Sequence, residues 1–406
     1  MAKSTEKKTN KKKILKPRYA FFMWLTRIIL FPIIKFKYRA KIKKFNGLKG
    51  RNFVILFNHQ TPFDQFFVLS AFKGAIRLLS TEDVVSNGKI SHLLKYAYGI
   101  VPIKKHTTDV KAVMECIKIA ESGGTLAIAP EGNRTYSGET SYIRPAIASL
   151  LLMLKLPVVF FTIRGGYGVQ PRWSDVRRKG KMSCQVTRVL EYDEYKDMGK
   201  GELLDLITSE LYVNESSDGE KFYSKKRAEK LERVLYVCPH CGFSEFKSEK
   251  NKVYCTKCNR EAVYGEDKTF SGDFPFKAVL EWCKFQEDYI VKTDFTALGE
   301  KAIFNDSAKV LEVIPYVKKV PIYKRAKIRL FGDKMTITGD GKELVLTFDK
   351  ISAATVLGRN KLNVYTIDKV YQLKGDSSFN ALKYMHFYNV YSQKLEGKTG
   401  DFIFGI

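Results

Sequence analysis

A histidine and an aspartate with four residues between them are the pair in this chain whose types and spacing could do chemistry. His59 and Asp64 belong to the segment NHQTPFD, where an apolar run gives way to a polar turn. An imidazole in such a turn can remove a proton from a hydroxyl, and a nearby carboxylate can hold the imidazole in the tautomer that this requires. The pair therefore predicts a general base and the residue that orients it.

The segment around the pair predicts a strand, a turn and a helix. NFVILFN before the turn is a short apolar run rich in strand-forming residues, and PFDQFFVLSAF after it has helical character. Thr61 is a candidate N-cap with Pro62 at the first helical position, which places Asp64 in the first helical turn. A carboxylate in the first turn also accepts hydrogen bonds from free backbone N–H groups, so helix capping alone would explain Asp64. A structural, hydrogen-bonded histidine would likewise explain His59.

Two further turns carry charged residues. Glu131, Gly132 and Arg134 lie in PEGNRT, directly after the apolar run TLAIA, and Lys105 ends the segment YGIVPIKK. A turn after a strand is a frequent place for functional residues. Guanidinium and ammonium groups make strong hydrogen bonds to phosphate, so Arg134 and Lys105 are candidates for holding one. Taken alone, each of these two residues is more often a surface charge, and Glu131 more often a member of a structural ion pair.

Four segments, taken in order, resemble the blocks of the 1-acyl-glycerol-3-phosphate acyltransferase family: NHQTPFD, GIVPIKK, PEGNRT and LPVVFFTI. The resemblance covers residues 46–214, and Glu131 follows His59 by 72 positions, as that family's layout implies. It implies a peripheral membrane enzyme that moves a fatty acyl group from a thioester to the sn-2 hydroxyl of lysophosphatidic acid. His59 would be the base and Asp64 its orienting residue. The acceptor would be bound by four residues: Lys105, Glu131, Gly132 and Arg134.

The same resemblance leaves the substrates open. The acyl donor would be acyl-CoA or an acyl carrier protein, and the acceptor hydroxyl would attack it directly, without an acyl-enzyme. Lys105 stands where the family usually has an arginine, which keeps the charge but loses the bidentate fork. A different glycerolipid or lysophospholipid acceptor is therefore the first alternative. The second is a non-catalytic adaptor that binds lipid or nucleic acid.

The positive charge of the chain is concentrated at its N-terminus. The formal net charge is +27, and residues 1–50 contribute 16 Lys or Arg against the single acid Glu6. These cations flank an apolar segment, residues 19–36, that contains Arg27 and Pro32. Such a segment is too interrupted for a membrane span. It predicts an anchor at the cytoplasmic face of an anionic membrane that either enters the interface and returns or lies along it. A buried N-terminal helix is the alternative.

Two Cys-x-x-Cys pairs predict a structural metal site. Cys238 and Cys241 stand in CPHCG, and after 13 intervening residues CTKC supplies Cys255 and Cys258. Four thiolates on two knuckles predict a tetrahedral zinc ribbon, with His240 as a bystander, and imply a reducing compartment. Little charge surrounds the knuckles, so a nucleic-acid partner is not expected.

The order of the patterns predicts several domains. Apolar strands alternate with helices up to about residue 213, which predicts an α/β layered domain with a largely parallel sheet. Beyond the ribbon, a helix, hairpin signals and a final helix capped by Asp376 or Ser377 predict a β-rich, pleckstrin-homology-like module. The predicted parts are a basic tail and anchor (1–45), the acyltransferase domain (46–214), a polar, partly helical connector (215–235), the zinc ribbon (236–265), and a helix plus β-rich domain (266–406).

Overall fold

A computed structural model describes residues 14–81, 89–103, 109–295, 297–315 and 317–397. The chain divides into two compact units. The first comprises the residues up to 135, then 140–169 and 180–214. The second comprises residues 136–139 and 170–179 together with everything after residue 214. The two short segments of the second unit thus come from within the sequence of the first.

Helices and strands alternate in the first unit. Its strands are β1 (Ala40–Ile42), β2 (Val54–Phe57), β3 (Ile76–Thr81), β4 (Val101–Ile103), β5 (Thr125–Ile128), β6 (Val158–Arg164) and β7 (Met182–Leu190). Its helices are α1 (Pro17–Tyr38), α2 (Asp64–Ala71), α3 (Lys89–Tyr98), α4 (Val110–Glu121), α5 (Ala146–Leu154), α6 (Gly166–Val169), α7 (Tyr192–Tyr195) and α8 (Lys200–Leu211).

The seven strands form one sheet in the order β1-β7-β6-β2-β5-β3-β4. Every pairing is parallel except that of β6 with β7. All four residues of the central strand β2 are buried, as expected for a parallel strand covered on both faces. The prediction of an α/β domain with a largely parallel sheet is confirmed.

Ligand sites in such sheets lie beyond the carboxyl ends of the strands. Strand β2 ends at Phe57 and its parallel neighbour β5 ends at Ile128. The segments that follow these two ends contain His59 and Glu131. The sheet therefore brings the first and third predicted motifs to the same edge.

Helix α2 begins later than the sequence indicates. It starts at Asp64, with Phe63 at the N-cap, whereas Pro62 had been expected at the first helical position. Residues 62 and 63 form a turn instead. The side chain of Asp64 accepts hydrogen bonds from the backbone N–H groups of Gln60 and Thr61, which stabilises the turn before the helix.

The second unit is rich in strands. A hairpin of β8 (Val237–Cys238) and β9 (Gly242–Phe243) precedes a four-stranded antiparallel sheet of β10 (Phe246–Glu249), β11 (Lys252–Cys255), β12 (Glu261–Tyr264) and β13 (Phe270–Gly272). Helix α9 (Val279–Lys292) follows. The short connector before β8 contains a 3-10 turn at Leu231–Arg233 rather than the partly helical structure that its sequence suggested.

A second seven-stranded sheet, antiparallel throughout, completes this unit. Its strands are β14 (Phe304–Ile314), β15 (Lys318–Leu330), β16 (Lys334–Gly339), β17 (Lys342–Thr347), β18 (Ile351–Leu357), β19 (Lys361–Thr366) and β20 (Val370–Gly375). Helix α10 (Ala381–Leu395) packs on strands β18 and β19. The two-residue turn at Asp340 and Gly341 has positive φ at both positions, as the GDGK hairpin signal predicts.

The β-rich character of the second unit is thereby confirmed. Its final helix is capped by Asn380, whose side chain accepts from the N–H groups of Leu382 and Lys383. The cap predicted from the sequence, Asp376 or Ser377, is therefore wrong by a few residues. The pleckstrin-homology-like interpretation of this sheet and the finer domain boundaries stay predictions.

Candidate active site

His59 and Asp64 form a hydrogen-bonded pair. The Nδ1 atom of His59 lies 2.8 Å from Oδ2 of Asp64. The imidazole is 25% exposed, whereas the carboxylate is fully buried. Because an ionised carboxylate can only accept, this contact places the proton on Nδ1 and the free lone pair on Nε2. Nε2 is the atom that can take a proton from a substrate.

The turn around Asp64 holds its carboxylate in place. Oδ2 also accepts from the backbone N–H of Gln60 at 2.6 Å, and Oδ1 accepts from the hydroxyl of Thr61 at 2.6 Å and its N–H at 3.0 Å. Thr61 Oγ1 in turn accepts from the N–H of Phe63 at 3.1 Å. Asp64 therefore makes both kinds of contact that the sequence left open. It accepts hydrogen bonds from the backbone of the turn, and it is hydrogen-bonded to the imidazole of His59.

Glu131 contacts the backbone of the histidine segment. Its Oε1 accepts from the N–H of His59 at 2.7 Å, and its Oε2 accepts from the N–H of Ser141 at 2.8 Å. Burial raises the pKa of Glu131 to about 8, nearby Asp64 adds to the rise, and the two N–H donors act in the opposite direction. Both carboxylate oxygens of Glu131 therefore accept hydrogen bonds from backbone N–H groups of the same unit.

The rest of the PEGNRT loop closes on the same backbone. The N–H of Thr135 donates to the carbonyl oxygen of His59 at 3.2 Å. Gly132 is exposed at a φ of +68°, a conformation that favours glycine, and its N–H donates to the carbonyl of Ala129. Arg134 is 9% exposed. Glu131, Gly132 and Arg134 therefore lie in one loop that is hydrogen-bonded to His59, while Lys105 lies outside the described residues.

Sequence reasoning missed two polar residues that hold the turn. Asn58 pairs with the backbone of Ile163 through both its amide nitrogen, at 2.8 Å, and its amide oxygen, at 2.7 Å. Gln60 Oε1 accepts from the N–H groups of Gly166 and Tyr167 at 2.9 and 3.3 Å. Both are buried amides beside His59, and a polar side chain at the end of an apolar run was the signal available in the sequence.

The four predicted cysteines of the second unit lie together. The sulfur atoms of Cys238, Cys241, Cys255 and Cys258 are all within 4.8 Å of one another, and those of Cys238 and Cys258 are 3.8 Å apart. Four ligands at about 2.3 Å around a tetrahedral ion are ~3.8 Å from each other, so this cluster could hold one metal ion. His240 is not a member of the cluster.

Helix α1 exposes large apolar side chains. Among the described residues it is the one helix long and apolar enough to cross a membrane by length and composition. The exposed side chains are Phe21, Trp24, Ile28, Ile29, Leu30, Ile33 and Phe36. Arg27 points elsewhere, because its guanidinium donates to the carbonyls of Leu69, Phe72 and Gly74 at 2.7–3.0 Å.

Residues 34–164 match the acyltransferase family model. The matched segment contains both halves of the His59–Asp64 pair and the Glu131 loop. The resemblance based on the four sequence segments is thereby confirmed for this part of the chain, about a third of its length.

Two solved structures are similar to parts of the chain. One is the 1-acyl-sn-glycerophosphate (LPA) acyltransferase PlsC from Thermotoga maritima, at 19% identity and a TM-score of 0.37, over 52% of this chain and 79% of that chain. The other is the N-terminal PH domain of human ARAP2, at 17% identity and a TM-score of 0.19, over 24% of this chain and 87% of that chain. No curated protein matches the chain.

Proposed function

We propose that the acyltransferase domain of this chain moves a fatty acyl group from an acyl thioester to the sn-2 hydroxyl of lysophosphatidic acid. The observation that carries the proposal is the 2.8 Å contact between His59 Nδ1 and Asp64 Oδ2, with the carboxylate buried and the imidazole partly exposed. Acyl transfer belongs to the family whose model matches. We propose, in addition, lysophosphatidic acid as the acceptor, an acyl thioester as the donor, and catalytic roles for His59 and Asp64.

His59 acts as general base in this mechanism. Its Nε2 removes the proton of the acceptor hydroxyl as the hydroxyl oxygen attacks the thioester carbonyl, and the thiol leaves. Asp64 keeps the proton on Nδ1 and stabilises the imidazolium that forms. General base catalysis of this kind contributes about 10²- to 10⁴-fold to a rate. The acceptor oxygen is itself the nucleophile, so no residue of the chain becomes acylated.

The acceptor phosphate is assigned to Arg134, together with Lys105. A guanidinium matches phosphate geometry with two parallel hydrogen bonds. Arg134 lies three residues after Glu131, in the loop that is hydrogen-bonded to His59. Glu131 and Gly132 shape that loop, Glu131 by its two backbone contacts and Gly132 by its positive φ.

One assay tests the proposal. Purified chain is incubated with labelled acyl-CoA or acyl carrier protein and with lysophosphatidic acid, and the same assay is run on other lysophospholipids. His59→Ala is expected to lose activity by about 10²-fold or more, because the base is gone. His92→Ala, which removes an exposed histidine of α3, is the matched control and keeps wild-type activity.

The result separates the candidates. If wild type acylates another lysolipid better than lysophosphatidic acid, the reaction holds and the acceptor is wrong. If wild type acylates no lysolipid, or if His59→Ala is as active as wild type, the enzymatic proposal is wrong. The adaptor alternative is then decided by comparing the affinity of the chain for anionic vesicles with its affinity for duplex DNA.

We further infer that α1 lies on an anionic membrane surface at the cytoplasmic face. Tyr19, Met23 and Tyr38 of this helix are buried, whereas Ile33 and Phe36 are 58% and 88% exposed. Arg27, at the middle of the helix, is tied to three backbone carbonyls of the same unit. A helix with one face packed on protein and one apolar face exposed suits a peripheral or monotopic attachment better than a span.

We also infer that the cysteine cluster holds a structural zinc ion. Zinc prefers thiolate ligands in tetrahedral sites, and two Cys-x-x-Cys knuckles supply four of them. Cys238 and Cys255 belong to the same apolar cluster as Trp282 and Trp173. The ion would thus support the core of the second unit and has no place in the reaction.

A further inference from the structure

Two short segments belong to the second unit although they interrupt the sequence of the first. They are residues 136–139 and 170–179. The second of them is deeply embedded. Trp173 is fully buried in the apolar cluster of the second unit, and Arg233 donates to its carbonyl oxygen at 2.8 Å. The backbone of Lys179 exchanges two hydrogen bonds with that of Tyr223.

Arg172 joins the two segments. Its guanidinium carbon lies 4.3 Å from the centre of the Tyr136 ring, and the two side chains are also hydrogen-bonded. The same guanidinium donates to the carbonyls of Gly358 and Val356 at 3.1 and 2.8 Å. Arg172 is 2% exposed, so these contacts replace all of its hydration. The ring of Tyr136 is therefore held by a residue that is itself fixed to β18 and the turn after it.

Each segment begins within a few residues of one that contacts the histidine turn. Tyr136 comes next after Thr135, whose N–H donates to the carbonyl oxygen of His59. Residue 170 comes next after α6, whose first two N–H groups donate to Gln60. The two chain connections that leave the neighbourhood of His59 and Gln60 thus both lead, within a few residues, to Arg172.

We propose that Arg172 and Tyr136 are positioning residues for the acyl-transfer site. Their contact fixes the carboxyl end of the loop from Glu131 to Thr135, and with it Arg134. The inference rests on the proposed function, because the loop matters for the reaction only if Arg134 holds the acceptor phosphate. The guanidinium of Arg172 stacks on the Tyr136 ring and also donates to two carbonyl oxygens. A lysine ammonium cannot make all of these contacts at once.

The positioning role can be tested with two measurements on the full chain. The first is hydrogen exchange of the backbone amides of residues 131–135. The second is the Michaelis constants for acceptor and donor. Arg172→Lys and Tyr136→Ala are expected to speed the exchange of this loop and to raise the KM for lysophosphatidic acid about 10-fold, with the KM for the acyl donor unchanged. Tyr136→Phe keeps the ring and is expected to restore both values toward wild type.

Arg178→Lys is the matched control. Arg178 is also 2% exposed and also lies over aromatic rings, those of Trp173 and Tyr264, and its guanidinium donates to the carbonyl oxygen of Arg227 at 2.6 Å. A purely structural role for the embedded segment would make Arg172→Lys and Arg178→Lys alike, with less folded protein and no change in either KM. That result would overturn the proposal.

The two proposals can fail separately. Loop exchange is measured without any substrate, so it decides the positioning role even if the chain acylates no lysolipid. If Arg172→Lys does not fold, Tyr136→Ala carries the test, because Tyr136 is only partly buried. Unchanged loop exchange in Tyr136→Ala overturns the positioning role.

Discussion

The backbone N–H of His59 donates to Oε1 of Glu131 at 2.7 Å, which joins two residues 72 positions apart in the sequence. The other oxygen of the same carboxylate accepts from the N–H of Ser141. Glu131 therefore links the backbone at His59 to the backbone at Ser141. Because its two oxygens are occupied within the protein, its substitution is expected to affect the histidine through the backbone.

Asp64→Asn tests the orienting role of the carboxylate. The amide nitrogen of asparagine is a donor, so it would face either the N–H donors of the turn or the Nδ1–H of His59 without forming a hydrogen bond. The imidazole would then no longer be held in one tautomer and orientation. We expect kcat to fall by about 10²- to 10⁴-fold, with little change in the KM for the acyl donor. Steady-state kinetics are the measurement.

Asp109→Asn is the control for that substitution. Asp109 caps α4 by accepting from the N–H of Ala112 at 3.1 Å, and asparagine caps a helix about as well as aspartate. Activity should therefore stay at the wild-type level. Equal losses in the two variants would contradict an orienting role for Asp64.

Glu131 gives a pH dependence of stability. Burial raises its pKa from 4.5 to about 8, so between these values the folded chain holds a proton that the unfolded chain has released. Its contribution to the free energy of unfolding is complete below pH 4.5 and is lost as the pH rises through 8. Glu131→Gln cannot titrate. Denaturant unfolding across this range should show a steeper decline with pH in wild type than in the variant, and parallel curves would rule the effect out.

The zinc ribbon can be tested by metal content and thermal unfolding. Cys255→Ser removes one of four thiolates, and we expect it to retain far less than the ~1 zinc per chain of wild type and to unfold at a lower temperature. Cys283→Ala is the matched control, because Cys283 is buried in the same apolar cluster but lies outside the metal group. Full zinc content in Cys255→Ser, or disulfides without metal in wild type, would refute the site.

The exposed face of α1 can be tested by flotation with anionic vesicles. Phe36→Asp replaces a side chain that is 88% exposed, and losing its insertion should weaken vesicle binding about 10- to 100-fold. Ile367→Asp changes an apolar residue of the second unit that is 89% exposed and should leave binding as it was. If the two variants bind alike, α1 does not provide the attachment.

Sequence patterns were sufficient to predict the sheet, the cysteine cluster and the family resemblance, because these depend on local composition or on the order and spacing of short motifs. The alternation of apolar runs and helices predicted the largely parallel sheet, because a strand buried on both faces must be apolar throughout, as β2 is. The Cys-x-x-Cys spacing predicted the cluster, since two sulfur atoms on one knuckle are necessarily close. The family resemblance of the four segments was confirmed by the match to residues 34–164.

Other features depended on contacts that no local pattern records. Helix α2 starts at Asp64, whose side chain accepts hydrogen bonds from the N–H groups of Gln60 and Thr61 in the preceding turn. The amide side chains of Asn58 and Gln60 are hydrogen-bonded to the backbone of residues more than 100 positions away, Ile163 and Gly166. Their neighbours in the sequence do not indicate those partners. The cap of α10 moved to Asn380 for a similar reason, since that side chain also contacts the carbonyl of Leu235.

The sequence by itself determined the residue types of the site, their order and the strands that end beside them, because these follow from local apolarity and spacing. The tertiary structure alone decided which partners each of these residues contacts. It gave Asp64 hydrogen bonds to both the turn and the imidazole, gave Glu131 hydrogen bonds to two backbone N–H groups, and placed Tyr136 and Arg172 together. The reason is physical: a hydrogen bond between distant positions depends on how the whole sheet and its loops pack, and packing is a property of all the residues at once.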